Sequence, residues 1–306
     1  MTPSKSFLIF ILLLTGLLCP GSCSAGNSSS EIVFVGSTPG DELIKSMLTI
    51  QPETKVDFIR WNLTLNNTKS AFVLSIVFGE SQPNTSGFKG GGEKHSFEGE
   101  YTISKSGNKN INGEIYSLRS NKLSSVIAMV KLNDNLFHLL TPQNQLMVGN
   151  GGWSYTLNRK GPLNNLAVLP ALTTSSTLTN DTSLQVVFEG RTPCQGIATD
   201  NNLTVTPDCF KLKWKLILNR DPQTLLPTTY QLKTTFNRDA DRSGKWTIIK
   251  ATPSNPNTVI YQLYSDKSEN SFSLLAGDEN VLFFINKNRE LYIGNGDFSF
   301  TLNKRK

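Results

Sequence analysis

The chain has 306 residues, a formal charge of +6, 38% hydrophobic residues, four cysteines and two histidines. That length accommodates two domains with real cores, and the composition excludes a disordered or metal-storing chain. The basic residues are scattered, with only Lys304-Arg305-Lys306 forming a run, so the charge reads as a solvated surface and no nucleic-acid partner is expected.

In chain order, Lys5 is followed by the apolar run FLIFILLLTGLL and then by PGSCSAG. This is the layout of a secretory signal, and the run is too short for a membrane span of ~20 apolar residues. Residues 1–25 are therefore expected to be a signal peptide and the start of a tether. Two cleavages are open: before Cys23, which would then carry lipid, or after Ala25. With lipidation the protein sits on a membrane face without spanning it, as an outer-membrane lipoprotein facing periplasm or surface; without it the protein is secreted or periplasmic.

The rest of the chain is a duplication. FVGSTPG (34–40) returns as FEGRTPC (188–194), offset 154, and FIRWNLTL (58–65) returns as KLKWKLIL (211–218), offset 153. From Glu98 to Arg159 the offset is a constant 145, so that EGEYTI answers SGKWTI and VGNGGWSYTLNR answers IGNGDFSFTLNK. Two copies of this length are whole domains, not solenoid repeats. The expected organisation is a first domain over 26–160, a linker over 161–183 and a second domain over 184–306.

Within each copy the period is two. Ile59, Trp61, Leu63 and Leu65 share one strand face, as do Leu212, Trp214, Leu216 and Leu218, whose alternate positions are Lys211, Lys213 and Lys215. Trp153-Tyr155-Leu157 and Phe298-Phe300-Leu302 suggest further half-buried strands. Only DELIKSML (41–48) hints at a helix. The fold class is all-β: two tandem homologous domains of about seven to nine strands each, small antiparallel barrels or closed sandwiches.

The order GRTPC (190–194), Trp214, GKW (244–246), YQL (261–263) and LYIGN (291–295) resembles the NlpE-like copper-resistance envelope lipoproteins, in the duplicated form found in Gram-negative bacteria. The resemblance implies that each copy is a lipocalin-like antiparallel barrel of eight to ten strands, so that the two span about 7–10 strands each on both readings, tethered to the envelope and acting in envelope homeostasis. The family's CxxC pair is missing, since the chain reads Cys194-Gln195-Gly196-Ile197; copper binding does not follow.

The cysteines are read through the duplication. Cys194 aligns with Gly40 and Cys209 with Val56, so both are present in one copy and both absent from the other. That is the pattern of a covalent pair in an exported protein, and the expected Cys194–Cys209 disulfide is worth roughly 3 kcal/mol in the chain-entropy model. Two thiolates are an incomplete tetrahedral set, and Asp200 and Asp208 are better explained as turn residues. His95 and His138 have no partner visible in sequence, Glu98 and Glu100 are a weak carboxylate pair, and FKGGGEK (88–94) reads as a hairpin tip. No catalytic residue, metal site or cofactor is therefore assigned. Trp61, Trp153, Trp214 and Trp246 are the candidate contacts of a ligand inside the barrels, against the plainer reading of core packing.

The functional expectation is a non-enzymatic binding or scaffold module, held to the membrane by lipid and partnered by a small apolar ligand or an envelope protein. The alternatives are a stress or redox sensor using the disulfide, and a carrier of a small apolar ligand.

Overall fold

The structure, a computed structural model, describes residues 31–105, 113–163, 181–201, 205–234, 241–252, 255–266 and 271–305. The leader, Cys23 and most of the expected linker lie outside them. Each copy forms one closed, up-and-down antiparallel barrel of eight strands. The first runs through β1 (Glu31–Pro39), β2 (Phe58–Asn66), β3 (Ala71–Gly79), β4 (Glu93–Lys105), β5 (Glu114–Arg119), β6 (Ile127–Asn133), β7 (Leu136–Leu139) and β8 (Thr156–Lys160). The second runs through β9 (Gln185–Thr192), β10 (Leu212–Arg220), β11 (Pro227–Thr234), β12 (Arg242–Thr252), β13 (Asn255–Ser265), β14 (Phe272–Ala276), β15 (Val281–Ile285) and β16 (Thr301–Lys304). Closure removes sheet edges and repeats in register: Val35 pairs with Asn158, and Glu189, 154 positions on, pairs with Asn303.

The alternation read from the sequence is the inside of each barrel. Ile59, Trp61, Leu63 and Leu65 are buried, and so are Leu212, Trp214, Leu216 and Leu218. Burying Trp61 and Trp214 requires a partner for each indole N–H. The TP motif supplies it: Trp61 Nε1 donates to Thr38 Oγ1 and Trp214 Nε1 donates to Thr192 Oγ1, both at 2.9 Å. The motif's glycine has its own reason. A Cβ on Gly36 would lie 2.8 Å from the Thr156 carbonyl oxygen, and one on Gly190 would lie 2.4 Å from that of Thr301. These are the points where the first and last strands close each barrel, and only glycine lets the backbones approach.

The helix expected over 41–48 forms as α1 (Glu42–Met47), N-capped by Asp41, whose Oδ1 accepts from the Ile44 amide at 3.0 Å. Ile44, Met47 and Leu48 drop into the core of the first barrel. A shorter α2 (Ile197–Asp200) does the same in the second through Ile197.

Cys194 and Cys209 are disulfide-bonded, with Cα atoms 6.0 Å apart. In the first barrel Gly40 faces Val56 so closely that a Cβ on Gly40 would lie 2.3 Å from a Val56 methyl. The valine side chain fills the place that the sulfurs take in the second copy, which is why the first needs no brace. Where the alternation extended the last strands back to Trp153 and Phe298, the structure differs: β8 begins at Thr156 and β16 at Thr301. Asn150 stops the ladder by taking the Gly152 and Trp153 amides on its side chain at 2.9 and 3.0 Å, and Asn295 repeats this with Asp297 and Phe298, both at 2.9 Å.

Replacing both cysteines with serine is expected to destabilise the second barrel by roughly 3 kcal/mol. Hydrogen exchange should then show faster amide exchange in β9–β16 with β1–β3 little changed, and equal loss in both barrels would refute the assignment of the brace.

Candidate functional site

The two barrels pack along β5–β8 and β13–β16. An apolar cluster joins them, made of positions that point outward from their own barrels. Its members come in pairs related by the 145-residue offset: Ile115 and Ile260, Val130 and Leu275, Leu136 and Val281, Leu140 and Ile285, Leu146 and Leu291. The seam is therefore isologous, as in a twofold dimer, with both protomers on one chain. The half-buried reading fails for its strands: β7 and β15 are buried at every position, because their outer face is the other barrel's cover. The uninterrupted run VLFFI (281–285) was the sequence signal for this, since a strand buried on both faces loses its alternation.

Polar pairs lie along the same pseudo-dyad. Asn158 Oδ1 accepts from the Gly294 amide across the seam and Asn303 Oδ1 accepts from the Gly149 amide, each at 2.7 Å. Ser154 Oγ meets Ser299 Oγ at 2.5 Å, and Thr156 Oγ1 meets Thr301 Oγ1 at 2.9 Å. Arg60 ties the rim to Asp297 at 2.5 Å.

One member breaks the symmetry. His138 stands where the second copy has Phe283, fully buried, with the Phe283 ring edge-on at 5.5 Å. Its Nε2 lies 2.9 Å from the Met147 carbonyl oxygen, which can only accept, so that nitrogen carries the proton. Burial, opposed only by that hydrogen bond, lowers the imidazole pKa to about 4, and the ring is neutral. Nδ1 must then accept from the Thr156 hydroxyl at 2.9 Å. The remaining directions follow: Thr301 donates to Thr156, Ser299 to Thr301 at 3.0 Å, and Ser154 to Ser299. Four hydroxyls and one imidazole thus form a single oriented chain through the seam.

Among the described residues, clefts open at the edges of this interface, and three of them matter here. One of about 580 Å³ is lined by Asp41, Glu42, Met147, Tyr155 and Asp278, with the Tyr155 hydroxyl bonded to the Asp41 carboxylate. Burial raises the Asp278 carboxyl to about 6, against the hydrogen bonds it accepts from the Asn280 and Val281 amides. A second, of about 520 Å³, lies between Gly40, Val56, Gly149 and Glu189. The third, of about 200 Å³, includes Phe58, Trp153, Arg191, Lys211 and Phe298. No set of three His, Cys, Asp or Glu side chains among the described residues could hold a metal ion.

The sequence candidates fall in different places. Trp61 and Trp214 are packed core residues with satisfied indoles. Trp246 is buried against Tyr261, its Nε1 donating to the Asn219 carbonyl at 2.8 Å. Trp153 is not inside a barrel: it is half-buried on the seam, stacked on Phe58 at 4.8 Å with the Arg191 guanidinium 5.2 Å from its ring. The reason is the Asn150 turn, which ends the alternation before it reaches that residue. His95 lies edge-on to Phe78 on β4, Glu98 and Glu100 face solvent, and Asp200 accepts from the Tyr292 hydroxyl at 2.6 Å. FKGGGEK does form a hairpin tip, but its Phe88 folds back to stack on Phe58 at 4.1 Å.

His138 makes folding depend on pH. Its folded-state pKa lies below the unfolded value near 6.5, so its contribution is complete above that pH and is lost as pH falls toward 4, by roughly 3 kcal/mol in all. Asp278 acts oppositely, favouring the fold as pH drops through about 6. Comparing wild type with His138→Phe cancels the aspartate: the substituted protein should lose less stability between pH 7 and 4.5 in chemical denaturation, and parallel curves would refute the assignment. In comparisons with known proteins, no family model, no curated protein and no solved structure matches this chain.

Proposed function

We propose that this protein is an exported, non-enzymatic binding and scaffold module of the cell envelope, held to its membrane by lipid on Cys23, with two barrels that act as one packed unit. The observation that carries the reading is the seam. An oriented hydroxyl chain, reciprocal Asn–amide bonds and five pairs of apolar residues fix the two copies against one another. A pair of independent carriers has no use for such an interface, whereas a scaffold needs it to present a composite surface.

The barrel interiors favour the same choice. Trp61, Trp214, Tyr230 and Phe72 are among the side chains packed inside with almost no exposure, alongside the helix residues Ile44 and Ile197. A carrier of a small apolar ligand would need that volume empty. The disulfide suits a brace, because Cys194 is 2% exposed within the core of the second barrel and half-buried Cys209 packs against that core. The leader, with its small residues before Cys23, supports the anchor, and the NlpE-like motif order supports an envelope role.

Two measurements test this. Palmitate should label the wild-type protein and not Cys23→Ala; an unlabelled wild type would remove the anchor. Titration with an apolar naphthalene dye should give no saturable quenching of the buried tryptophans, and stoichiometric quenching would replace the scaffold with a carrier.

A further inference from the structure

The duplication allows each seam position to be compared with its partner. At the buried centre, His138 and Phe283 apart, the polar pairs keep their chemistry: Ser154 with Ser299, Thr156 with Thr301, Asn158 with Asn303. Around the 200 Å³ cleft they do not. Lys211 stands opposite Phe58, and Arg191 takes the place of Ser37; Trp153 answers Phe298, and Asp297 answers Gly152. In the first copy Ser37 simply donates to the Gly296 carbonyl at 2.7 Å. The second copy has put two cations at the positions where the first has a hydroxyl and a phenyl ring.

Among the described residues neither Arg191 nor Lys211 forms an ion pair. Arg191 rests over Trp153, and the Lys211 ammonium lies 4.7 Å from the Phe210 ring centre. The cleft's one carboxylate, on Asp297, is engaged by Arg60, which also donates to the Ser86 carbonyl at 2.6 Å. Burial lowers the pKa of both cations, and Lys211 is lowered further by Arg191 and Lys213. Two partly desolvated like charges held together are unfavourable until an anion joins them. The polar loop Ser81–Ser86 forms the opposite wall, and the volume suits a small group rather than a whole cofactor.

We propose that this cleft is an oxyanion site in which Arg191 and Lys211 bind the phosphate group of a ligand. The proposal rests on the reading of the seam as the working surface. Arg191 offers a planar fork and Lys211 a point charge, the usual pair for a phosphate. Two sources carry such a group, a soluble phosphate ester and the head group of an anionic phospholipid.

The test uses the full-length Cys23→Ala protein, which has no lipid of its own. Inorganic phosphate should bind saturably in isothermal titration and raise the melting temperature over that in chloride at equal ionic strength. Arg191→Gln and Lys211→Met should each weaken binding about tenfold or more and abolish the phosphate-dependent rise, while Lys213→Met, on the exposed neighbouring position, should not. In sedimentation, binding to phosphatidylglycerol but not phosphatidylcholine vesicles, lost in the same two variants, assigns the group to a lipid; phosphate binding without vesicle binding assigns it to a soluble ester. Lys211→Met should also melt no lower than the parent in chloride, because it relieves repulsion. Binding of neither probe, or binding unchanged in both variants, overturns the proposal. Either of those results leaves the scaffold reading to its own dye and labelling tests.

Discussion

The structure depends on burying the outer faces of β5–β8 and β13–β16 against each other. A closed barrel satisfies its own backbone and fills its own interior, and usually shows water a polar exterior. Here the exterior of one side is apolar in both copies, so neither barrel has a soluble surface until the other covers it. The 145-residue offset makes the cover self-complementary: each apolar position finds its own duplicate's neighbourhood across a pseudo-dyad. The polar residues caught in that contact must then be paired, and the Ser, Thr and Asn residues of the repeated SxTLN run do this reciprocally.

The FEGRTPC motif shows how much a short repeat can encode. Gly190 lets the barrel close, Thr192 satisfies the Trp214 indole, Cys194 carries the disulfide, and Arg191 turns outward to the seam cleft. In FVGSTPG the first two tasks persist at Gly36 and Thr38. The other two have changed: Val56 packs against Gly40 in place of the disulfide, and Ser37 bonds a carbonyl in place of the cation. What the copies share is what a barrel needs to fold. What separates them lies at the brace and at the seam.

His138 belongs to the same logic. A phenyl ring at this position, as at residue 283, would fill space without a partner for the Met147 carbonyl or for the Thr156 hydroxyl. The imidazole serves both and sets the direction of the whole hydroxyl chain. The cost is a buried base that acid protonates, which ties the stability of the interface to pH.

The sequence by itself determined the duplication, the all-β class, the inward faces of the strands, the short helix over 41–48 and the disulfide. These are local or self-referential properties: a period of two names a buried face, and an offset between copies names paired losses such as Cys194 with Cys209. Tertiary structure alone decided the seam. Leu136 and His138 look like any other strand residues, and the run VLFFI marks β15 as buried on both faces without naming what covers it, because that surface is about 145 positions away and its register is set only once both barrels have closed. The same holds for Trp153: an alternating pattern placed it inside a barrel, but the Asn150 side chain captures two backbone amides and ends the ladder first, leaving the ring on the seam beside Arg191.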